Sequence, residues 1–345
     1  MSCYLITGGA GFFGTVLKQH LLKQGAECVS IDLEPDSFQH PRFTAYQGDI
    51  NDDSLMEKIF SVHKPEAVFH CAALLAHVKK DLKRLWHANV DGTRNVYDFA
   101  LKYGVKKIVF ISSNCLWAKN FDSPVTEDEE PNPVEIYGKS KLEGEKILLS
   151  QPDKINSIIF RSPTIMDEGR LGLLGILFEF IDEGRKLPMV GDGTNRYQFI
   201  YAKDLAKACE LALAADYSEI FNIGADDVKS FNEVYQYVIN KSGSGSRLFH
   251  FPKLPMIWAM KVCFWLGISP LGSYQYKMIA SNFIFDTSKI KEKLGFCPTL
   301  KNEEMLLRAY EFYHQNKNEI LNRKDVSAHN SVAKMGVIKI LKWLM

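Results

Sequence analysis

The first fourteen residues constrain this chain most. A short apolar run, residues 3–7, leads into Gly8-Gly9-Ala10-Gly11-Phe12-Phe13-Gly14, and a helical pattern follows at once. Gly9, Gly11 and Gly14 satisfy G-x-G-x-x-G; Gly8, Gly11 and Gly14 satisfy G-x-x-G-x-x-G. Glycine permits positive φ in a tight turn, close approach of backbone to a pyrophosphate, and close packing of helix on strand. The start of the helix then offers unbonded N–H groups and the positive end of its dipole to phosphate. A glycine motif alone is weak evidence. Here a strand precedes it, a helix follows it, and a second strand ends in Asp32, where a carboxylate accepts ribose hydroxyls. That carboxylate repels a 2′-phosphate, and no Arg follows it directly, so the expected cofactor is NAD rather than NADP. Gly48-Asp49-Ile50 follows a third strand. It either meets the adenine or is a plain turn with a capping Asp.

The alternation continues through the first half. Segments 3–7, 28–31, 67–71, 107–112 and 157–160 are continuous apolar runs that read as buried strands. Segments 14–23, 53–62, 82–103 and 137–149 between them carry helical spacing. Continuous apolar strands alternating with helices predict an α/β chain with a doubly wound parallel sheet, covered on both faces. After about residue 162 the pattern changes. Helices are expected at 173–183, 202–214, 231–240 and 256–266, short strands at 199–201 and 219–223, and a flexible loop at 241–247 (KSGSGSR). The expected division is a dinucleotide-binding domain over 1–163, a smaller and mostly helical C-terminal substrate-binding lid over 164–321 with strands returning to the main sheet, and a linker plus terminal helix over 322–345.

Composition narrows the function classes. Forty-two Lys+Arg against 41 Asp+Glu leave a formal net charge of +1 in 345 residues, so no global field favours nucleic acid. The cysteines, seven in all, are spread without a C-x-x-C pair. This argues against a disulfide framework or a thiolate metal site, and no metal is expected. The N-terminus enters a strand with no basic n-region or signal-type apolar core. No run reaches the roughly 18 apolar residues of a spanning helix; the longest, 254–268, is flanked by Lys253 and broken by Lys261. A cytoplasmic enzyme is expected.

Tyr137-Gly138-Lys139-Ser140-Lys141 opens a helix and sets Tyr137 and Lys141 one turn apart on one face. A phenol titrating near its ordinary value of about 10 is a poor base at neutral pH. A neighbouring ammonium and a bound pyridinium ring stabilise the phenolate. Tyr137 could then take a proton from a substrate hydroxyl, and Lys141 could also hold the nicotinamide ribose. Ser112 and Ser113 end a strand at the carboxyl edge, where ligands bind, and Ser113 could hydrogen-bond the reacting oxygen.

Together these motifs resemble the extended short-chain dehydrogenase/reductases of the NAD-dependent epimerase/dehydratase type. The matching segments are TGGAGFFG (7–14, with Gly8, Gly11, Phe12, Phe13 and Gly14), Asp32, GDI (48–50, with Asp49 and Ile50), HCAA (70–73, with Ala72), NVDGTRNV (89–96, with Asn89), ISS (111–113), YGKSK (137–141) and R-S-P (161–163, with Pro163). The resemblance covers residues 2–315. It implies a Rossmann domain that binds NAD through these residues, Tyr137 as acid/base, Lys141 as its pKa tuner, Ser113 as hydroxyl orienter, and Asn89 as a supporting helix residue. It also implies a homodimer and hydride abstraction from a secondary alcohol, foremost in a nucleotide-sugar epimerase.

The chain departs from the nucleotide-sugar pattern at the diphosphate grip. Thr164 stands where an Asn is usual, Tyr197 stands where an Arg is usual with Arg196 one place early, and 270–274 lacks an R-P-G-D run. Arg161, Arg170 or Arg196 could substitute, since phosphate favours Arg forks. The candidate substrate residues are Asn114, Thr164, Arg196 and Tyr197. Asn114 and Cys115 follow Ser113 where the dehydratase branch carries Asp-Glu, which argues against water elimination. The rival is the hydroxysteroid-type dehydrogenase branch, similar in its R-x-P segment and in an apolar helix over 255–266 with Trp258, Phe264 and Trp265. That helix reads as buried core, as a substrate wall or as a membrane-facing surface. Residues 331–345 set Lys334, Lys339 and Lys342 among apolar side chains. The pattern is a basic amphipathic helix suited to peripheral membrane contact or to subunit packing.

Overall fold

Strands rich in Val, Ile and Phe alternate with helices throughout the computed structural model, which describes residues 2–75, 81–266 and 273–322. The order begins β1 (Cys3–Thr7), α1 (Phe12–Lys23), β2 (Glu27–Asp32), β3 (Phe43–Gln47), α2 (Asp53–His63), β4 (Ala67–His70), α3 (Leu82–Trp86) and α4 (Gly92–Lys102). It continues with β5 (Lys107–Ile111), α5 (Ile136–Leu148), β6 (Asn156–Arg161), β7 (Thr164–Met166), α6 (Leu174–Asp182), β8 (Lys186–Val190), β9 (Phe199–Tyr201), α7 (Ala202–Ala212) and β10 (Glu219–Asn222). It ends with α8 (Phe231–Ser242), β11 (Arg247–Phe251), α9 (Lys253–Trp265), α10 (Ser273–Met278), α11 (Ser288–Leu294) and α12 (Asn302–Asn322).

Seven of these strands form one parallel sheet in the order β10-β6-β5-β4-β1-β2-β3. Every residue of β4 and β5 is buried, as a parallel sheet covered on both faces requires. One face packs on α1 and α7 through Leu17, Leu21, Leu205 and Cys209; the other packs on α2 and α4 through Met56, Phe60, Val96 and Tyr97. The chain winds outward from β1 to β3, then returns to start β4 on the other side of β1. That reversal opens a crevice beyond the carboxyl ends of β1 and β4.

A separate core gathers α6, α8, α12, β8 and β9 around Phe178, Phe180, Val238 and Tyr313. Two small parallel sheets, β8–β11 and β7–β9, lie among these elements, so the second half holds more strand than its sequence pattern suggests. β10 returns to the edge of the main sheet.

Three local expectations need correction. The helix expected over 82–103 is interrupted by a π-helical turn, His87–Asp91, whose extra residue leaves the apolar spacing nearly unchanged. The segment 241–247 is not a free loop: Lys241 and Ser242 belong to α8, Gly243 caps it with φ +64°, and Ser246 Oγ donates to Ile181 O at 3.1 Å. The helix α9 is not buried core, for none of its residues is buried. The terminal segment 331–345 lies outside the described residues. All seven cysteines are free thiols, and among the described residues no helix is long and apolar enough to cross a membrane.

Candidate active site

The glycine loop fills the crevice at the end of β1. Gly8 has φ +73° and its N–H donates to Ile31 O at 2.8 Å. A Cβ on Gly8 would lie 2.8 Å from Ala72 N, and one on Gly14 would strike Gly8 O and lie 2.8 Å from Gly9 Cα. Backbone cannot move aside as a side chain can, so glycine is required at both. Gly11 caps α1 without a side-chain hydrogen bond, which leaves the first-turn N–H groups, Phe12 and Phe13 among them, to an anion. Phe13 is buried and Phe12 half-buried. Asp32, at the end of β2, accepts the Ala10 N–H with Oδ2 (3.0 Å) and the Glu34 N–H with Oδ1 (3.0 Å). These contacts hold its carboxylate at the carboxyl edge of the sheet. The glycine cradle, the open helix N-terminus and the fixed carboxylate fit a dinucleotide.

Asp49 and Ile50 belong to a turn on the same edge. Asp49 Oδ1 accepts from Asn51 N at 2.9 Å, and Ile50 O accepts from Asn95 Nδ2 at 2.8 Å.

A buried polar relay fixes the loop after β4. His70 is fully buried between Thr7 Oγ1 (2.7 Å to Nδ1) and Thr93 Oγ1 (2.8 Å to Nε2). Thr93 already gives its proton to Asn89 O at 2.6 Å, so it accepts from Nε2–H and leaves Nδ1 to accept from Thr7. Thr7 Oγ1 in turn accepts the Ala72 N–H at 3.2 Å. Burial, helped by the Lys141 charge, pulls the imidazole down to about 3 and keeps it neutral. Asn89 sits in the π-helical turn and spends its amide on protein: Leu74 N (2.7 Å), Leu74 O (3.0 Å) and Ser140 Oγ (3.0 Å). It ties the β4 loop to the helix carrying Tyr137.

Ser113, Tyr137 and Lys141 meet beyond β5. Ser113 is buried, caps the short 3₁₀ turn Asn114–Leu116, and accepts the Cys115 N–H at 3.1 Å. Its hydroxyl lies near enough to Tyr137 to lower the phenol's pKa. Gly138 allows this approach, since a Cβ there would strike Cys115 O. Lys141 is buried over the Phe110 ring (4.4 Å) and donates to Ile111 O at 2.8 Å. Burial pulls its ammonium down to about 8, with Cys71, Glu145 and Cys115 acting the other way.

Burial, with the nearby Cys115 thiol, pushes the Tyr137 phenol above its ordinary value; the Ser113 hydroxyl and Arg170 hold it down. Among the described residues Arg170 is thus the cation that lowers the Tyr137 pKa, while Lys141 donates to the Ile111 carbonyl. Burial pulls Arg170 itself down to about 10, with the Tyr137 charge opposing. Its guanidinium lies 5.7 Å from the Phe12 ring centre.

The substrate candidates separate. Tyr197 OH accepts from Asn114 Nδ2 (2.6 Å), lies 3.3 Å from Tyr274 OH, and has its pKa, raised by burial, lowered in part by the nearby Thr164 hydroxyl. Asn114, Thr164 and Tyr197 thus form one polar wall beside Ser113, which Tyr274 completes. Arg196 does not join it: its side chain is exposed and acts on Glu233. Arg161 is also spoken for. It is buried on Glu145 (Nη2–Oε2 2.9 Å), which accepts from Ser112 Oγ at 2.6 Å. Pro163 is buried in the turn after β6. The sequence reading missed Tyr274, Glu145 and the nearness of Arg170 to Tyr137.

A parallel sheet with a glycine cradle at its switch point, a ribose carboxylate and a Ser-Tyr-Lys group defines a short-chain dehydrogenase/reductase of the extended type, with NAD as cofactor. A family model described as the NAD dependent epimerase/dehydratase family matches residues 4–224, and the chain belongs to that family. It is 35% identical over 344 residues, 99% of this chain and 86% of the relative, to an uncharacterized protein of Sinorhizobium fredii. It is 25% identical over 342 residues, 92% of this chain and 97% of the relative, to a UDP-glucuronate 4-epimerase of Thermodesulfobacterium geofontis. Among solved structures it is similar to the UDP-glucose 4-epimerase of Thermotoga maritima with UDP-glucose. There the TM-score is 0.76 and the identity 25%, over 91% of this chain and 99% of that one.

Proposed function

We propose that this protein is a nucleotide-sugar epimerase in which Tyr137 moves the proton of a sugar hydroxyl. The carrying observation is that Ser113, at the carboxyl edge of β5, and Tyr137, one helical turn from Lys141, are brought close enough for Ser113 to hold the phenol's pKa down. NAD, when bound, supplies a reversible hydride acceptor. Ser113 orients the substrate hydroxyl toward the phenol. Arg170 offsets part of the burial that raises the phenol, and the positive nicotinamide ring would lower it further when bound, so that the proton passes from the alcohol to Tyr137 Oη and back. Lys141 is assigned to the nicotinamide ribose.

The wall of Asn114, Thr164 and Tyr197 supports a sugar over a sterol, because its hydrogen-bonding groups match hydroxyls rather than an apolar ring system. Arg170, beside Tyr137, is assigned to a phosphate or carboxylate of the substrate. Residues 164–321 are assigned to the substrate lid. A homodimer is proposed, supported by the exposed apolar side chains Leu82 and Trp86 on α3 with Val134 just before α5.

Incubation with UDP-, GDP-, CDP- and dTDP-sugars tests the reading. The expected result is interconversion of one sugar pair with no NADH accumulating. Inertness toward the whole panel, with NADH formed on a hydroxysteroid, contradicts it.

A further inference from the structure

The helix α9 is thirteen residues long and buries none of them. Leu254 is 80% exposed, Trp258 70% and Trp265 79%. With Lys261 these residues recur at intervals of three and four and so form one stripe, and Leu266 extends it. A stripe this apolar is unstable against water and marks an interaction surface. Its charges identify the partner. The helix holds Lys253 and Lys261 and no Asp or Glu. The carboxylate acting on Lys253 is Asp192, on the neighbouring β8–β9 connection, and it is also bonded by Thr194 Oγ1 at 2.8 Å.

We propose that α9 is a membrane-docking surface that seats in the headgroup region of an anionic lipid bilayer. Indole rings favour that depth, and flanking lysines favour anionic headgroups. Other occupants are opposed by charge. A second copy of α9 would bring lysines against lysines with no carboxylate between them. The terminal segment 331–345 also carries three lysines and no acid, so like charge opposes it as the cover of α9. α9 packs on α10 through Phe264 and Tyr276, 5.7 Å apart, and α10 carries the Tyr274 of the substrate wall. The docking surface thus lies one helix away from the proposed pocket, but the inference does not depend on the identity of the sugar.

Co-sedimentation of the full-length protein with vesicles tests it, using phosphatidylcholine alone and phosphatidylcholine mixed with phosphatidylglycerol. The wild type is expected to bind the mixed vesicles, to lose binding in high salt, and to leave the neutral ones. The Trp258→Ser/Trp265→Ser double variant and Lys261→Glu should each weaken that binding about tenfold, with NAD affinity unchanged. Wild type that stays in solution overturns the proposal. So does a double variant that sediments like wild type, which would place the contact elsewhere. A double variant that changes only the oligomeric mass assigns α9 to a second copy and equally overturns it.

Discussion

Lys18 and Asp32 hold one peptide group from its two ends. Lys18 Nζ donates to Gly9 O at 3.2 Å, and the N–H of the same peptide, on Ala10, donates to Asp32 Oδ2 at 3.0 Å. Lys18 is buried beneath Phe38 and Phe43, each 5.1 Å from its ammonium, and is paired with Asp36. The orientation of the Asp32 carboxylate is thereby coupled to a buried ion pair beneath the loop.

Asp36→Leu strands a buried ammonium and should destabilise the fold by about 3–5 kcal/mol. Adding Lys18→Met should restore much of that stability while leaving the NAD dissociation constant raised about tenfold. ADP-ribose should be weakened equally and nicotinamide mononucleotide little, by calorimetry. A double variant with wild-type NAD affinity would make the pair purely structural.

Arg161→Met should behave as a folding lesion. The buried Glu145 carboxylate would keep only Ser112 Oγ, and loss of one member of such a pair costs about 3–5 kcal/mol. Thermal unfolding should shift down sharply, while NAD and substrate affinities of the protein that remains folded stay near wild type. A selective rise in substrate KM with an unchanged melting temperature would return Arg161 to the binding site.

His70 makes the fold acid-sensitive. Its folded value of about 3 lies below the ordinary 6.5, so between these limits the unfolded chain binds a proton that the fold refuses. Stability from this source is complete above pH 6.5 and declines as pH falls toward 3. The loss should reach about 3 kcal/mol by about pH 4.5, read from urea midpoints. His70→Asn should flatten that slope; an equally steep slope in the variant would clear His70.

Arg170→Met should raise the Tyr137 pKa, because the cation favours the phenolate. The rising limb of the kcat/KM profile should move about one unit to higher pH, roughly tenfold in rate at neutral pH. Arg170→Lys should recover part of the shift. An unmoved limb with a raised KM would assign Arg170 to substrate binding alone.

What the sequence disclosed was what is local. The glycine turn, Asp32 and the Tyr137–Lys141 spacing are set by backbone geometry within a few residues, and each stands where its pattern placed it. Arginine partners are decided by tertiary contact. Arg161, Arg170 and Arg196 read alike as cations, yet one is buried on Glu145, one faces Tyr137 and one is exposed beside Glu233. The π-helical turn at Asn89 escaped notice because one inserted residue barely disturbs helical periodicity. α9 stayed open between buried core, substrate wall and membrane-facing surface, because an apolar helix has the same composition in each; only its exposure removes the first.

The most direct measurement pairs turnover with cofactor binding in Tyr137→Phe. The side chain keeps its ring and loses only the phenol oxygen. Sugar interconversion should fall by at least about a hundredfold, with the NAD dissociation constant within about twofold of wild type. Turnover that survives with NAD bound would show that another group moves the proton.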